Sequence, residues 1–381
     1  RMGRSTIAAL TAVAMLATAV TTSYGAGAWD TSDPEYTARI EAAVSSGKLA
    51  SNCSPSAAPA PDAAFVPAAE PTAELIAAAN AEGQFVLNSG ISDGPTVDAY
   101  QAAFQARFPQ ITMSIAAGRS AQLEERFLAD HAAGNNQVDA VISNKINWME
   151  EAFSTGAMLP LDQTIPDIFS TWPEGSWRWV TDAGSTAPAF NRSFGIAYNS
   201  DLVTGDLIPK EFADLANPAF KGQLLALDPS ESVTYARQWL HILNVVGEET
   251  FKKIGENIQQ PIYPDIQVAA QVLGAGGAMV IMEMGGNVAA TMIANGAPLV
   301  GVMPKSATGT QYAYGVSSTA PHPNAAKLFG MWLYSAEGQY VMSCAAYAGT
   351  VAYTDQGAEE YIAIEDVSEE QIAHIRSLLG I

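Results

Sequence analysis

The chain has 381 residues, which is more than one ordinary domain needs, so its length predicts two domains. It carries 39 acidic and 18 basic side chains, a formal net charge of −21. This balance argues against nucleic acid or an anionic membrane surface as a partner, because phosphate contacts need clustered Lys and Arg. The 48% of hydrophobic residues is typical of a globular protein rather than a disordered one.

Residues 1–28 have the pattern of a secretory signal peptide. Arg1 and Arg4 precede an apolar run over residues 7–20, and the small residues at 26–28 resemble a cleavage site. The apolar run is shorter than the roughly 20 residues that a membrane-spanning helix needs. The sequence therefore predicts export to the periplasm, with a retained N-terminal anchor as the alternative.

An N-terminal extension with an Ala/Pro-rich linker is predicted over residues 29–71. Its first part, residues 33–49, has the composition of a helix, and the remainder is typical of an extended linker. Cys53 lies in this region and Cys344 lies near the other end of the chain. One disulfide is chemically permitted in an oxidising compartment, and the sequence leaves open whether these two residues meet.

From residue 72 onward, helical and strand patterns alternate. Helices are predicted over 72–83, 96–109, 120–134, 147–156, the latter part of 223–247, 287–296 and 323–338. Strands are predicted over 84–90, 111–117, 138–143, 194–199, the start of 223–247, 277–283 and 312–318. Alternation with short connections predicts a parallel sheet covered by helices. Two such α/β units follow one another along the chain.

The familiar motifs of catalysis and cofactor binding are absent from the sequence. There is no G-x-S-x-G nucleophile elbow, no Walker phosphate loop and no complete dinucleotide-binding glycine pattern. The four histidines are scattered, without the spacing of metal ligands. We therefore predict no catalytic residues, no cofactor and no metal site, and interpret the chain as a binding protein rather than an enzyme.

Short polar residues follow several predicted strands. In open α/β sheets, ligands bind beyond the carboxyl ends of the strands. The candidate ligand-binding residues are Ser89, Gly90, Ser92, Ser143, Asn144, Lys145, Arg192, Ser230, Ser232, Glu283, Gly285 and Asn287. Helix N-termini next to these turns favour anionic groups. The alternative interpretation is that the serines cap their own helices and that the two basic residues pair with acids.

Glu283 is the single charged residue in an otherwise largely apolar stretch over residues 276–290. A carboxylate at the end of a buried strand would hold a cationic group, whereas Lys145 or Arg192 would hold an anionic one. That combination predicts a zwitterionic solute. The alternative is that Glu283 pairs with a structural arginine or caps the helix that begins near Asn287.

Four segments together resemble the periplasmic solute-binding proteins of ABC importers, in the branch that includes ferric-iron, thiamine, phosphonate and sugar-phosphate binders. They are "RFLADHAAGNNQVDAVIS", "FGIAYNSDLV", "EFADLANPAFKGQLLALDPSES" and "YGVSSTAPHPNAAKLFGMWLYSAEGQ", and the resemblance covers about residues 75–350. It implies an α/β, two-lobed periplasmic-binding-protein fold of type II, with lobes joined by crossing hinge strands near 191–194 and 305–310. The implied first lobe is 72–190 plus 308–350, and the second is 191–307 plus 351–381.

The resemblance also implies a function: a monomeric exported receptor that clamps a small-molecule solute and presents it to a membrane permease and its ATPase. Ferric-iron binders of this branch carry adjacent tyrosines at the turn that here reads Glu283-Met284-Gly285-Gly286. Ferric iron is a hard cation that requires oxygen ligands, and Met and Gly side chains provide none. We therefore expect a polar or zwitterionic organic solute, with a ferric-iron receptor or a secreted two-lobed enzyme using Glu283 as base as the alternatives.

Overall fold

The structure is a computed structural model that describes residues 28–63, 65, 69–91, 93–117, 120–165, 186–282, 286–353, 357–364 and 366–381. The predicted signal peptide lies outside the described residues except for Ala28, whose N–H donates to the Glu70 carboxylate at 2.6 Å. Among the described helices, none combines the length and the apolar character that crossing a bilayer would require.

The N-terminal extension packs against the rest of the chain. Helix α1 (Pro34–Ser45) begins with a proline in its first turn, and Asp33 caps it by accepting from the N–H of Glu35 at 3.0 Å. Two short 3-10 turns follow at Ser51–Cys53 and Pro55–Ala57. The prediction of an extended linker is therefore wrong for residues 51–57. These turns bury Cys53 and Pro55 against the first lobe, and a disulfide joins Cys53 to Cys344.

The remaining elements follow in chain order. The first run comprises α2 (Ala73–Glu82), β1 (Gln84–Ser89), α3 (Gly94–Arg107), β2 (Thr112–Ala117), α4 (Ser120–Ala132), β3 (Ala140–Ser143), α5 (Ile146–Ser154), β4 (Met158–Leu159), α6 (Leu161–Thr164) and β5 (Pro188–Ser193). The second run comprises β6 (Ile196–Asn199), β7 (Leu224–Leu225), α7 (Val233–Glu256, interrupted at Gly247), α8 (Ile266–Gly274), β8 (Val280–Met282), α9 (Gly286–Ala294) and β9 (Leu299–Val302). The last run comprises β10 (Ser306–Ala307), β11 (Gly309–Ser317), α10 (Pro323–Leu333), α11 (Ala336–Ala346), β12 (Glu360–Tyr361) and α12 (Glu369–Leu379).

The first lobe is built on a six-stranded sheet with the order β2-β1-β3-β11-β4, in which β5 also pairs with β11. Strand β1 is parallel to both β2 and β3, whereas β11 is antiparallel to β3, β4 and β5. The prediction of a wholly parallel sheet is therefore wrong for β11. That strand returns from the second lobe and enters the sheet in the opposite direction.

The second lobe is built on a four-stranded sheet with the order β7-β8-β6-β9. Strand β6 is antiparallel to β8 and β9, while β7 is parallel to β8, so the prediction of a parallel sheet is also wrong for β6. The C-terminal helix α12 covers α7, and its residues Ile375 and Leu379 are buried in the core of this lobe. The chain's last helix therefore belongs to the second sheet, although the nearest preceding helices, α10 and α11, pack on the first.

Two of the connections between the lobes run from strand to strand through described residues, and each contains a glycine packed against the backbone of the other connection. The chain leaves β5 for β6 through Phe194 and Gly195, and it returns from β9 to β11 through residues 303–308. A Cβ atom on Gly195 would lie 2.3 Å from the carbonyl oxygen of Val302, and one on Gly309 would lie 1.9 Å from that of Arg192. A side chain at either glycine would separate the crossing strands. The exact limits of the two lobes remain a prediction.

One predicted helix is two helices. The sequence predicts a single helix over 323–338, but α10 ends at Leu333 and α11 begins at Ala336. Ser335 lies in an extended conformation between them and caps α11 by accepting from the N–H of Gly338 at 3.2 Å. Gly338 has no room for a side chain, since a Cβ there would lie 2.0 Å from the carbonyl oxygen of Trp332. The apolar periodicity runs through this corner, so the pattern alone did not reveal it.

Candidate functional site

The turn after β1 is held by hydrogen bonds within itself and to the neighbouring elements α3 and β3. Ser89 is completely buried, and its hydroxyl accepts from the Tyr100 hydroxyl at 3.1 Å and from the N–H of Ile91 at 3.2 Å. The N–H of Gly90 donates to the carbonyl of Ile142 at 2.8 Å. These two predicted residues therefore shape the turn through internal hydrogen bonds.

The turn after β3 contacts a buried carboxylate of α4, Glu124, that the sequence analysis did not single out. The Ser143 hydroxyl donates to the Glu124 carboxylate and accepts from the N–H of Lys145 at 3.0 Å. The Lys145 ammonium lies 3.3 Å from the same carboxylate, whose side chain is only 3% exposed. The charge of Lys145 is thus already paired, in agreement with the alternative interpretation of this residue.

Arg192 lies in a polar cluster beside the crossing strands. Its guanidinium is 3.2 Å from the Asp93 carboxylate and donates through Nε to the carbonyl of Ala346 at 3.1 Å. Burial raises the pKa of Tyr312, and the nearby charge of Arg192 and a hydrogen bond with Asn144 act in the opposite direction. The predicted residues Asn144 and Arg192 therefore both act on Tyr312, and the charge of Arg192 is neutralised by Asp93.

The turn after β7 is tied to the end of the chain. Arg376 of α12 donates to the Asp228 carboxylate and to the Ser230 hydroxyl, the latter at 3.2 Å. Burial would raise the pKa of Asp228, but the backbone hydrogen bond from Ser230 and the contacts of Arg376 lower it overall. Ser232 caps α7 by accepting from the N–H of Thr234 at 3.2 Å. Both serines have structural partners here.

The remaining predicted residues are described only in part. Ser92, Glu283 and Gly285 lie outside the described residues. Asn287 lies in the first turn of α9, which begins at Gly286. A ligand-binding role for the residues at the strand ends remains a prediction.

A cavity of about 780 Å³ lies between the lobes. Small-molecule sites commonly measure about 300–1,000 Å³, so this space is large enough for an organic solute. The first lobe lines it with Asp93, Pro95, Ala345 and Tyr347. The second lobe lines it with Gln267, Gln271, Gly274, Val288, Met292, Asn295, Gly296, Ala297 and Pro298.

The polar groups of this interlobe cavity are mostly neutral. Gln267 and Gln271 lie one turn apart on α8, Asn295 directly follows α9, and all three are exposed. Each amide offers both donors and acceptors, which suits hydroxyl or amide groups on a solute. The carboxylate of Asp93 is already bound, because it pairs with Arg192 and accepts from the N–H of Thr96 at 3.0 Å. Within the described parts of the chain, no group of three or more His, Cys, Asp or Glu side chains is arranged to hold a metal ion.

Sequence reasoning missed the side chains that line this cavity. Gln267 and Gln271 lie on α8, a helix that was not predicted, although their spacing of four residues places them on one helical face. Tyr347 follows α11 at a position where helices usually carry glycine. The segment "SCAAY" at residues 343–347 has no glycine at the end of the helix. This absence was the available sequence signal that Tyr347 takes the position after the helix.

The comparisons with known proteins agree with a two-lobed binding fold. The family described as bacterial extracellular solute-binding protein matches residues 85–343. A search of curated proteins found no match to the chain.

Three solved structures illustrate the similarity of fold. The substrate-binding protein of an ABC transporter from Agrobacterium tumefaciens is 15% identical, with 79% of this chain and 96% of that one covered and a TM-score of 0.56. The Trichodesmium protein IdiA (FutA), in complex with iron and citrate, is 16% identical, with 78% and 98% covered and a TM-score of 0.56. The spermidine/putrescine-binding protein PotD from Streptococcus pneumoniae is 16% identical, with 77% and 97% covered and a TM-score of 0.52. At these identities the likeness establishes the fold alone.

Proposed function

The chain belongs to the bacterial extracellular solute-binding proteins, and on this premise we propose that it is the exported receptor of an ABC importer for a small polar organic solute. Residues 1–28 direct it to the periplasm. The two lobes close over the solute, and the closed form presents it to a permease and its ATPase. Hinge closure of two lobes around a ligand is a known binding motion.

The observation that carries this proposal is the cavity between the lobes. Its lining includes Asp93 and Tyr347 from the first lobe and Gln267, Gln271 and Asn295 from the second. A solute that contacts both sets of side chains binds the closed arrangement better than the open one. Differential affinity of this kind is what allows a ligand to shift a conformational equilibrium.

The chemistry of the lining favours an organic solute over ferric iron. Amide side chains recognise hydroxyl, amide and carbonyl groups, whereas ferric iron is a hard cation that favours anionic oxygen ligands. The iron complex of the Trichodesmium protein and the polyamine in the name of PotD describe those proteins. Two fold neighbours with such different ligands support a solute receptor without identifying the solute.

The test is a ligand screen combined with a measurement of shape. Neutral sugars, nucleosides, zwitterionic amino acids, phosphate esters, polyamines and ferric salts are each added to the mature protein. A bound solute at one hundred times its Kd stabilises the folded state by about 2.7 kcal/mol, which raises the apparent Tm. We expect one class of solute to raise the Tm, to bind once per chain and to reduce the radius of gyration in small-angle scattering.

A matched pair of variants locates the site. Gln271→Ala removes an amide from the cavity, whereas Gln137→Ala removes an exposed amide that does not line it. We expect only Gln271→Ala to weaken binding. Unchanged scattering with every solute, or equal effects of the two variants, would contradict the proposal.

A further inference from the structure

Tyr347 has an unusual backbone conformation for its residue type. Helix α11 ends at Ala346, and Tyr347 follows with φ 49° and ψ 53°. It is the one non-glycine residue with positive φ in the described segments of the chain. The residue after a helix often adopts this left-handed conformation, but it is usually glycine because a Cβ atom disfavours it.

The surrounding chain holds Tyr347 in this conformation. The N–H of Ala348 donates to the carbonyl of Ser343 at 3.1 Å, which closes the end of α11. Arg192 fixes the neighbouring carbonyl, that of Ala346, by donating to it at 3.1 Å. A disfavoured conformation persists only where its surroundings determine it in this way, and such residues are concentrated at functional sites.

Packing of the side chain does not offset the strain. Tyr347 is 40% exposed and lines the interlobe cavity. Its hydroxyl makes no hydrogen bond to any part of the chain that the structure describes. An exposed ring on a strained backbone contributes little to the stability of the fold. We therefore expect the Tyr347 ring to contribute to binding, when a solute fills the cavity.

The other walls of the cavity complement an aromatic ring. Val288 and Met292 of α9 are apolar, and the amides of Gln267, Gln271 and Asn295 provide donors and acceptors. The described lining contains no Lys, Arg or His, and its single carboxylate is paired. The lining therefore favours an uncharged ligand with a flat or apolar face and polar edges.

Resting on the proposed function, we propose that Tyr347 is the surface on which the solute's ring packs, and that the solute is an uncharged ring compound bearing hydroxyl or amide groups. A free sugar and a nucleoside share this chemistry. Contact with an aromatic face suits either ring, since the face is apolar and every base presents a π-surface. The amides then bind the polar edges of the ring without requiring a counter-charge.

The first test needs no ligand and compares Tyr347→Gly with Tyr347→Phe. Glycine relieves the left-handed strain, so the Tm of Tyr347→Gly without solute should equal that of the parent or exceed it by up to about 2–4 °C. Phenylalanine keeps both the ring and the strain, so Tyr347→Phe should match the parent. If Tyr347→Gly melts clearly below the parent, the ring is a structural element and the inference is overturned.

The second test measures binding by calorimetry, using glucose, galactose, adenosine and uridine as uncharged rings and glycine, a hexose phosphate and ferric citrate as contrasts. We expect either the sugars or the nucleosides to bind, and the group that binds identifies the class of solute. Tyr347→Gly should weaken that binding at least about tenfold, a loss typical of an aromatic contact, and Tyr347→Phe should preserve it.

The outcomes separate this inference from the proposed function. Binding with lobe closure by a contrast solute alone would leave the receptor function standing and overturn the ring inference. Binding of an uncharged ring that is unaffected by Tyr347→Gly would overturn the role of Tyr347. If no compound in the broad screen binds or changes the scattering, the proposed function fails and the inference fails with it.

Discussion

Removing the carboxylate of Glu337 should destabilise the first lobe strongly. This carboxylate accepts from the Arg107 guanidinium and, at 2.8 Å, from the indole N–H of Trp332. The Arg107 and Glu337 side chains are only 4% and 5% exposed. Burial lowers the pKa of Arg107, but the charge and hydrogen bond of Glu337 raise it overall, so the guanidinium stays charged. Glu337→Ala leaves that charge buried without a counter-charge, a change that costs about 3–5 kcal/mol.

The assay is urea unfolding at neutral pH followed by far-UV circular dichroism. A matched control is Glu249→Ala, which breaks the exposed pair of Glu249 with Lys253, 3.0 Å apart, and should cost at most about 1 kcal/mol. Glu337→Gln retains an acceptor for Trp332 and should fall between the two. If Glu337→Ala unfolds at the same urea concentration as Glu249→Ala, the burial of this ion pair is refuted.

Three further predictions concern other parts of the molecule. Replacing both Cys53 and Cys344 by serine, which opens a link between residues 291 positions apart, should lower the free energy of unfolding by about 2–4 kcal/mol; a parent insensitive to reductant would contradict this. Burial lowers the pKa of His241, so the folded state binds this proton less readily than the unfolded state does, and the parent should lose stability as pH falls below 6.5. His241→Gln should lose less stability over that interval in urea titrations, and parallel losses would refute the assignment. With an uncharged solute, Glu283→Gln should leave the calorimetric Kd unchanged, whereas a selective loss of zwitterion binding would restore the cationic-partner hypothesis.

Several helices and strands of the first lobe were predictable because their signals are local. Helix α2 illustrates this: Thr72 caps it by accepting from the N–H of Leu75 at 3.2 Å, and Gly83 ends it with φ 67°. Both residues act within one helical turn of their own position. The apolar periodicity of α3 and the short runs at β1 and β3 are equally local, and the structure has these elements close to the predicted limits.

Features that depend on distant residues were not predictable in this way. The direction of β11 depends on where the chain re-enters the first sheet, and the disulfide depends on the meeting of residues 291 positions apart. The pairing of Lys145 with Glu124 and of Arg192 with Asp93 likewise depends on residues from separate elements meeting in the fold. The sequence therefore located the polar residues that follow β1, β3 and β7, but it could not show that Lys145 and Arg192 are already paired.

The N-terminal extension and the cavity are connected through a single helix, α11. The backbone carbonyl of Asp30 accepts from Arg107 at 2.6 Å, and Arg107 in turn binds Glu337 in the first turn of α11. The disulfide fastens the extension to Cys344 near the other end of the same helix. Three residues later the chain reaches Tyr347 in the cavity. Because α11 is held at both ends, its C-terminus is a fixed wall, and closure of the lobes is expected to bend the crossing strands rather than this helix.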